Sequence, residues 1–140
     1  MKTVDKNQEF SKPLGTQLIV EFSSCNKEIL DDVESVKTIM LNAAAAAKAT
    51  IVNHCFHKFS PFGVSGVVII AESHITIHTW PEHGYCAIDI FTCGDLLDNN
   101  IALMVLKKGL KSQKQKVFLI ERGLKNLLSD SLPVTLEKNN

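Results

Sequence analysis

Three apolar-rich runs follow one another with almost nothing between them: Gly66 to Ala71, His74 to Trp80 and Tyr85 to Thr92. A parallel crossover needs about a dozen residues or more, so links this short force antiparallel hairpins. The middle run alternates cleanly. Ile75, Ile77 and Thr79 point to one side and His74, Thr76, His78 and Trp80 to the other, because successive strand side chains face opposite ways. One face therefore reads as core and the other as a site, with Ser73 at the corner that precedes it.

The flanking segments supply the rest of a two-layer domain. Thr16 to Phe22 is apolar enough for a buried strand, and a break follows at Ser23-Ser24-Cys25-Asn26. From about Glu28 to Lys48, Ile29, Val33, Val36, Ile39, Met40 and Ala43 recur at three- and four-residue steps, the pattern of one apolar helical face. Thr50 to Phe59 predicts a strand that ends at the breaker Ser60-Pro61-Phe62-Gly63. Asp98 to Leu110 predicts a second amphipathic helix, and Lys116 to Ile120 a last strand. The expected fold is α+β, a two-layer sandwich of a mainly antiparallel sheet with two helices on one face. Residues 1–12 are polar and aperiodic and read as a flexible extension to a single domain over 13–140. From Leu124 onward the pattern predicts no element.

Composition narrows the function classes. Lysine plus arginine and aspartate plus glutamate balance at fifteen each, so no field of one sign draws the chain to nucleic acid or to an anionic membrane. No apolar run approaches the roughly 20 residues of a membrane span, and the start Met1 to Glu9 lacks a leader's apolar stretch, so a cytoplasmic protein is expected. Cys25, Cys55, Cys86 and Cys93 form no C-x-x-C pair and read as reduced thiols. The histidines at 54, 57, 74, 78 and 83 match no zinc spacing with them, so no metal is expected. The partner is a small molecule or another protein, and near-zero net charge is compatible with self-association.

Taken singly, the polar residues of the central segment are unremarkable. Ser73 is a turn serine, Cys93 a packing cysteine, Phe59 a core ring and Glu82 solvated surface. Together, Glu72-Ser73-His74-Ile75-Thr76-Ile77-His78-Thr79-Trp80-Pro81-Glu82, followed by Phe91-Thr92-Cys93-Gly94, closely resemble the prokaryotic-type S-adenosylmethionine decarboxylase proenzymes. The resemblance runs from about Leu14 to Arg122. It implies a pyruvoyl-dependent carboxy-lyase that cuts itself between Glu72 and Ser73 into 1–72 and 73–140, which stay associated. The serine attacks the Glu72 carbonyl, and elimination and hydrolysis leave a covalent pyruvoyl cofactor where Ser73 stood. Such a carbonyl is needed because decarboxylation leaves electrons on carbon that no ordinary side chain accepts. Only serine supplies both the nucleophile and the carbon skeleton.

By the same resemblance His78 is the processing base, Ser65 supports the processing intermediate, and Cys93 is the proton donor in turnover. Thiols of ordinary pKa, about 8.5, are mostly protonated at neutral pH and can act as acids. His78 lies five residues after Ser73, so a bend at Ser73 is expected to bring them together. The substrate amine is held as an imine, with Phe59 and Trp80 as aromatic faces for the adenine and sulfonium and Glu82 on the ribose hydroxyls. The product is the aminopropyl donor for spermidine synthesis. The expected assembly is a dimer of cleaved heterodimers, with the pocket at or near the subunit contact. Two departures stand out: the family's first strand often carries histidine at the position of Gln17 and aspartate at that of Asn26, whereas Phe22 is retained. A sister decarboxylase of ornithine or arginine would keep Ser73, His78 and Cys93 but change the nucleoside pocket. A non-enzymatic paralogue would have lost Ser73 or Cys93.

Overall fold

The computed structural model describes residues 12–93 and 97–123. The chain runs β1 (Gly15–Ser23), α1 (Lys27–Asp31), α2 (Val33–Ala46), β2 (Thr50–Lys58), β3 (Val64–Ala71), β4 (Ser73–Trp80), a 3-10 turn (Pro81–His83), β5 (Tyr85–Thr92), α3 (Asn99–Gly109) and β6 (Lys114–Arg122). The strands form one six-stranded sheet in the order β2-β3-β4-β5-β1-β6. Every neighbouring pair is antiparallel. The predicted α+β sandwich is what forms.

Alternation decides which side is core. Leu18, Val20 and Phe22 of β1, Val68 and Ile70 of β3, Ile75 and Ile77 of β4, and Ile88 and Ile90 of β5 are buried on one face. There they meet Leu30, Val36, Met40, Ala43, Ala44, Ala102 and Leu106 of the helices. Each large side chain so buried stabilises the fold by roughly 1.5–3 kcal/mol. The opposite face carries Gln17, Ile19, Glu21, Ser65, His74, His78, Trp80, Asp89 and Phe91, with no helix over it among the described residues.

The single helix expected over 28–48 is two. Asp32 is extended (φ −101°, ψ 108°) and caps α2, its carboxylate accepting from the Ser35 N–H at 3.2 Å and the Ser35 hydroxyl at 2.5 Å. A side chain that satisfies the first turn of a new helix competes with continuation of the old one. The helix layer therefore has three members, and the short one, α1, lies beside β4 and the 3-10 turn. Strand β6 is also longer than the expected 116–120. Most of the expected extension, 1–11, lies outside the described residues, as does everything from Leu124 on.

All four cysteines are free thiols. Cys25 and Cys86 meet in the core, where a hydrogen bond from Cys86 draws the Cys25 thiol down to about 7 and the same contact, with burial, pushes Cys86 up.

Candidate active site

Strands β3 and β4 are joined by the tightest link in the sheet. Ile70 pairs with Ser73, so only Ala71 and Glu72 turn the chain. Ser73 leaves the turn with φ +124°, a region that L side chains rarely occupy, and a non-glycine residue held there stores about 1–3 kcal/mol. Ser73 also pairs with Thr92 of β5, which brings the following residue, Cys93, alongside. The Ser73 hydroxyl and the Cys93 sulfur are 3.3 Å apart. A cavity of about 470 Å3, lined by Lys48, Thr50, Ile70, Glu72, Cys93 and Leu97, opens at this end of the sheet.

A second polar pair stands farther along β4, on the open face. Ser65 of β3 is in register with His78 of β4, and their Oγ and Nδ1 atoms are 2.8 Å apart. They line a recess of about 300 Å3 with Cys55, His57, Val67 and Thr76. The expected bend at Ser73 is there, but it does not bring Ser73 to His78, because β4 runs continuously from Ser73 to Trp80. At about 3.3 Å per residue, five residues of strand separate the two pairs by about 16 Å. The structure brings Ser73 to Cys93 and Ser65 to His78, but it does not bring the two pairs together within one chain.

Phe59, Trp80 and Glu82 gather at the His78 end. Trp80 closes β4 and Glu82 sits in the 3-10 turn that follows. Phe59 follows β2, and its N–H donates to the Gly63 carbonyl at 2.8 Å. Both rings are half-exposed, Phe59 at 46% and Trp80 at 41%, so both are free to cover a ligand. Three neighbours were not read from sequence as parts of this pocket. His57 meets the Phe59 ring edge-on at 4.6 Å, and Tyr85 lies against Trp80 at 5.3 Å. Burial, together with a hydrogen bond to Glu21, pushes the Tyr85 hydroxyl up, so it stays a donor. Thr79, buried between His78 and Trp80, accepts from the Val64 N–H and donates to the Leu30 carbonyl, each at 2.8 Å. Only strand register, which a linear reading does not supply, marks these three.

The two departures from the family pattern have definite places. Gln17 receives the Arg122 guanidinium at 2.7 Å and donates to Asp89 at 3.2 Å. Asn26 caps α1, its side-chain oxygen accepting from the Ile29 N–H at 2.9 Å. Among the described residues no three His, Cys, Asp or Glu side chains cluster as a metal site, and no helix is long and apolar enough to cross a membrane.

Comparison with known proteins gives this geometry its setting. Residues 16–123 match the family model described as S-adenosylmethionine decarboxylase. The S-adenosylmethionine decarboxylase proenzyme of Thermosipho melanesiensis is 57% identical over 112 residues, 80% of this chain and 86% of that protein. The proenzyme of the same name from Thermodesulfovibrio yellowstonii is 48% identical over 120 residues, 86% of this chain and 89% of that one. The crystal structure of the adenosylmethionine decarboxylase of Aquifex aeolicus superimposes with a TM-score of 0.76 at 31% identity, covering 93% of this chain and all of that one. A match over most of the chain in sequence and in fold leaves one assignment: the chain belongs to the S-adenosylmethionine decarboxylase family.

Proposed function

We propose that this chain is the self-cleaving precursor of a pyruvoyl-dependent decarboxylase of S-adenosylmethionine, cut between Glu72 and Ser73. The observation that carries the reading is the Ser73 turn: a serine at φ +124° with its hydroxyl beside Cys93. Attack of the Ser73 oxygen on the Glu72 carbonyl carbon forms an ester as the peptide C–N bond breaks, and relief of the backbone strain favours that exchange. Removal of the Ser73 Cα proton then expels the ester's carboxylate from the serine Cβ, releasing 1–72 with Glu72 as its last residue, and water replaces the remaining nitrogen of residue 73, which leaves as ammonia. The residues present fit the cofactor, since Ser73 supplies its carbon skeleton and its hydroxyl stands 3.3 Å from the sulfur of Cys93, which with Glu72 lines the cavity. When formed, the pyruvoyl group supplies the carbonyl sink that takes up the electrons left by departing carbon dioxide. Cys93, within van der Waals reach of the Ser73 position, is placed to deliver a proton there.

His78, about 16 Å along a straight strand, cannot serve the Ser73 of its own chain. A second copy resolves this. Two sheets packed open face to open face about a two-fold axis exchange the ends of β4, setting the partner's His78 and Ser65 against Ser73 and Cys93. The exposed Ile69, Phe118 and Ile120 on that face favour its being covered. In such a dimer the partner's Phe59, Trp80 and Glu82 complete the site, two aromatic faces for the adenine and a carboxylate for the ribose. A basic amino acid has no purine to lie between two aromatic faces and no ribose for the carboxylate to hold, which supports S-adenosylmethionine over ornithine or arginine.

Intact mass under denaturing conditions tests the cut. The unmutated chain gives two fragments meeting at residues 72 and 73, and Ser73→Ala gives one. A single uncut species from the unmutated chain rejects the cofactor assignment. Carbon dioxide release from labelled S-adenosylmethionine, against ornithine and arginine, tests the substrate.

A further inference from the structure

Both segments that carry the substrate-pocket residues rest on the five-residue helix α1. Lys27 at its start reaches the Glu82 carbonyl at 3.4 Å. Leu30 near its end receives the Thr79 hydroxyl, which in turn holds the Val64 N–H. The densest contact is made by its last residue. One oxygen of Asp31 takes the Lys58 ammonium at 2.7 Å and the Gly63 N–H at 2.9 Å. Lys58 simultaneously donates to the Phe59 carbonyl at 2.9 Å, and Phe59 donates to the Gly63 carbonyl at 2.8 Å. Gly63 itself stands at φ +105°, and a Cβ there would lie 3.0 Å from the Thr79 carbonyl oxygen.

We propose that Asp31 is a positioning residue of the substrate pocket, clamping both ends of the β2–β3 loop so that the exposed Phe59 ring is held in place before substrate arrives. This rests on the decarboxylase reading above and on Phe59 being a pocket ring. A half-exposed ring on a loose five-residue loop must be ordered on binding, and that ordering weakens affinity. Asp31 removes much of that cost by joining the end of β2 to the start of β3. The Asp31 and Lys58 side chains are about one-third exposed, at 34% and 37%, and a pair so placed contributes little to global stability. Its loss is therefore expected to change binding while the fold survives. The Lys58 ammonium and the Gly63 N–H hold the Asp31 carboxyl below the usual carboxylate range, so the clamp is charged at neutral pH.

The test is steady-state decarboxylation of S-adenosylmethionine by the processed enzyme, with self-cleavage followed by denatured mass. Asp31→Ala is expected to cleave fully and to raise KM roughly fivefold, the scale of ordering one loop and its ring, with kcat within about twofold. Asp31→Asn, whose amide oxygen still accepts from Gly63, is expected to fall between Asp31→Ala and the unmutated enzyme. Glu34→Ala, which breaks the ordinary surface pair with Lys37 on α2, leaves KM unchanged. An unaltered KM in Asp31→Ala, beside a normally active unmutated enzyme, overturns the assignment alone. An unmutated enzyme that releases no carbon dioxide from S-adenosylmethionine overturns the decarboxylase reading, and this assignment with it.

Discussion

Asn26 and Gln17 stand where the resemblance led us to expect aspartate and histidine, and their surroundings separate them. Asn26 accepts the Ile29 N–H at the head of α1, and asparagine caps a helix as well as aspartate does. The exchange therefore preserves the function of the residue. Asn26→Asp is expected to leave thermal stability and KM unchanged, while Asn26→Ala loses about 1 kcal/mol in chemical denaturation. Gln17 is instead the middle of a chain from Arg122 to Asp89, donating to one neighbour and accepting from the other. Only a side chain with both capacities bridges those two ends. The consequence of the residue change at Gln17 lies on the open face, three strands from β3.

The elements were largely legible in the sequence because their periods were clean. Strands β4 and β5 alternate strictly, and α3 falls within a residue of its expected bounds at each end. What escaped was chemistry that overrides period. The apolar spacing through Ile29, Val33 and Val36 continues across Asp32, yet the Asp32 cap divides the helix, and α1 becomes the support of the Phe59 and Glu82 segments. Phe56 and Gly66 show the same limit in the sheet. They face each other between β2 and β3, and a Cβ on Gly66 would lie 2.1 Å from Cδ1 of the Phe56 ring. No linear pattern tells that this glycine exists to seat that ring. Gly66→Ala is expected to displace Phe56 and cost about 1–3 kcal/mol in a denaturant titration, and a loss under about 0.5 kcal/mol would mean that the ring turns aside freely.

At the scale of the whole molecule, the candidate residues could be named from sequence but not assembled. The motif places Ser73 and His78 five residues apart, and only the structure shows that those five residues are straight strand. Two half-sites result, Ser73 with Cys93 at the start of β4 and Ser65 with His78 farther along it on the open face. On the reading proposed above, a single chain lacks the base for its own cut, and a face-to-face pair of chains is what would hold two complete sites. Co-expression of His78→Ala with Ser73→Ala, read by denatured intact mass, tests this directly. Each variant alone is expected to stay uncut. In the mixed dimer the His78→Ala chain, with its Ser73 served by the partner's His78, is cleaved into 1–72 and 73–140 while the Ser73→Ala chain remains whole. A His78→Ala chain that cleaves by itself, or that stays intact in a demonstrated mixed dimer, contradicts a site shared between two copies.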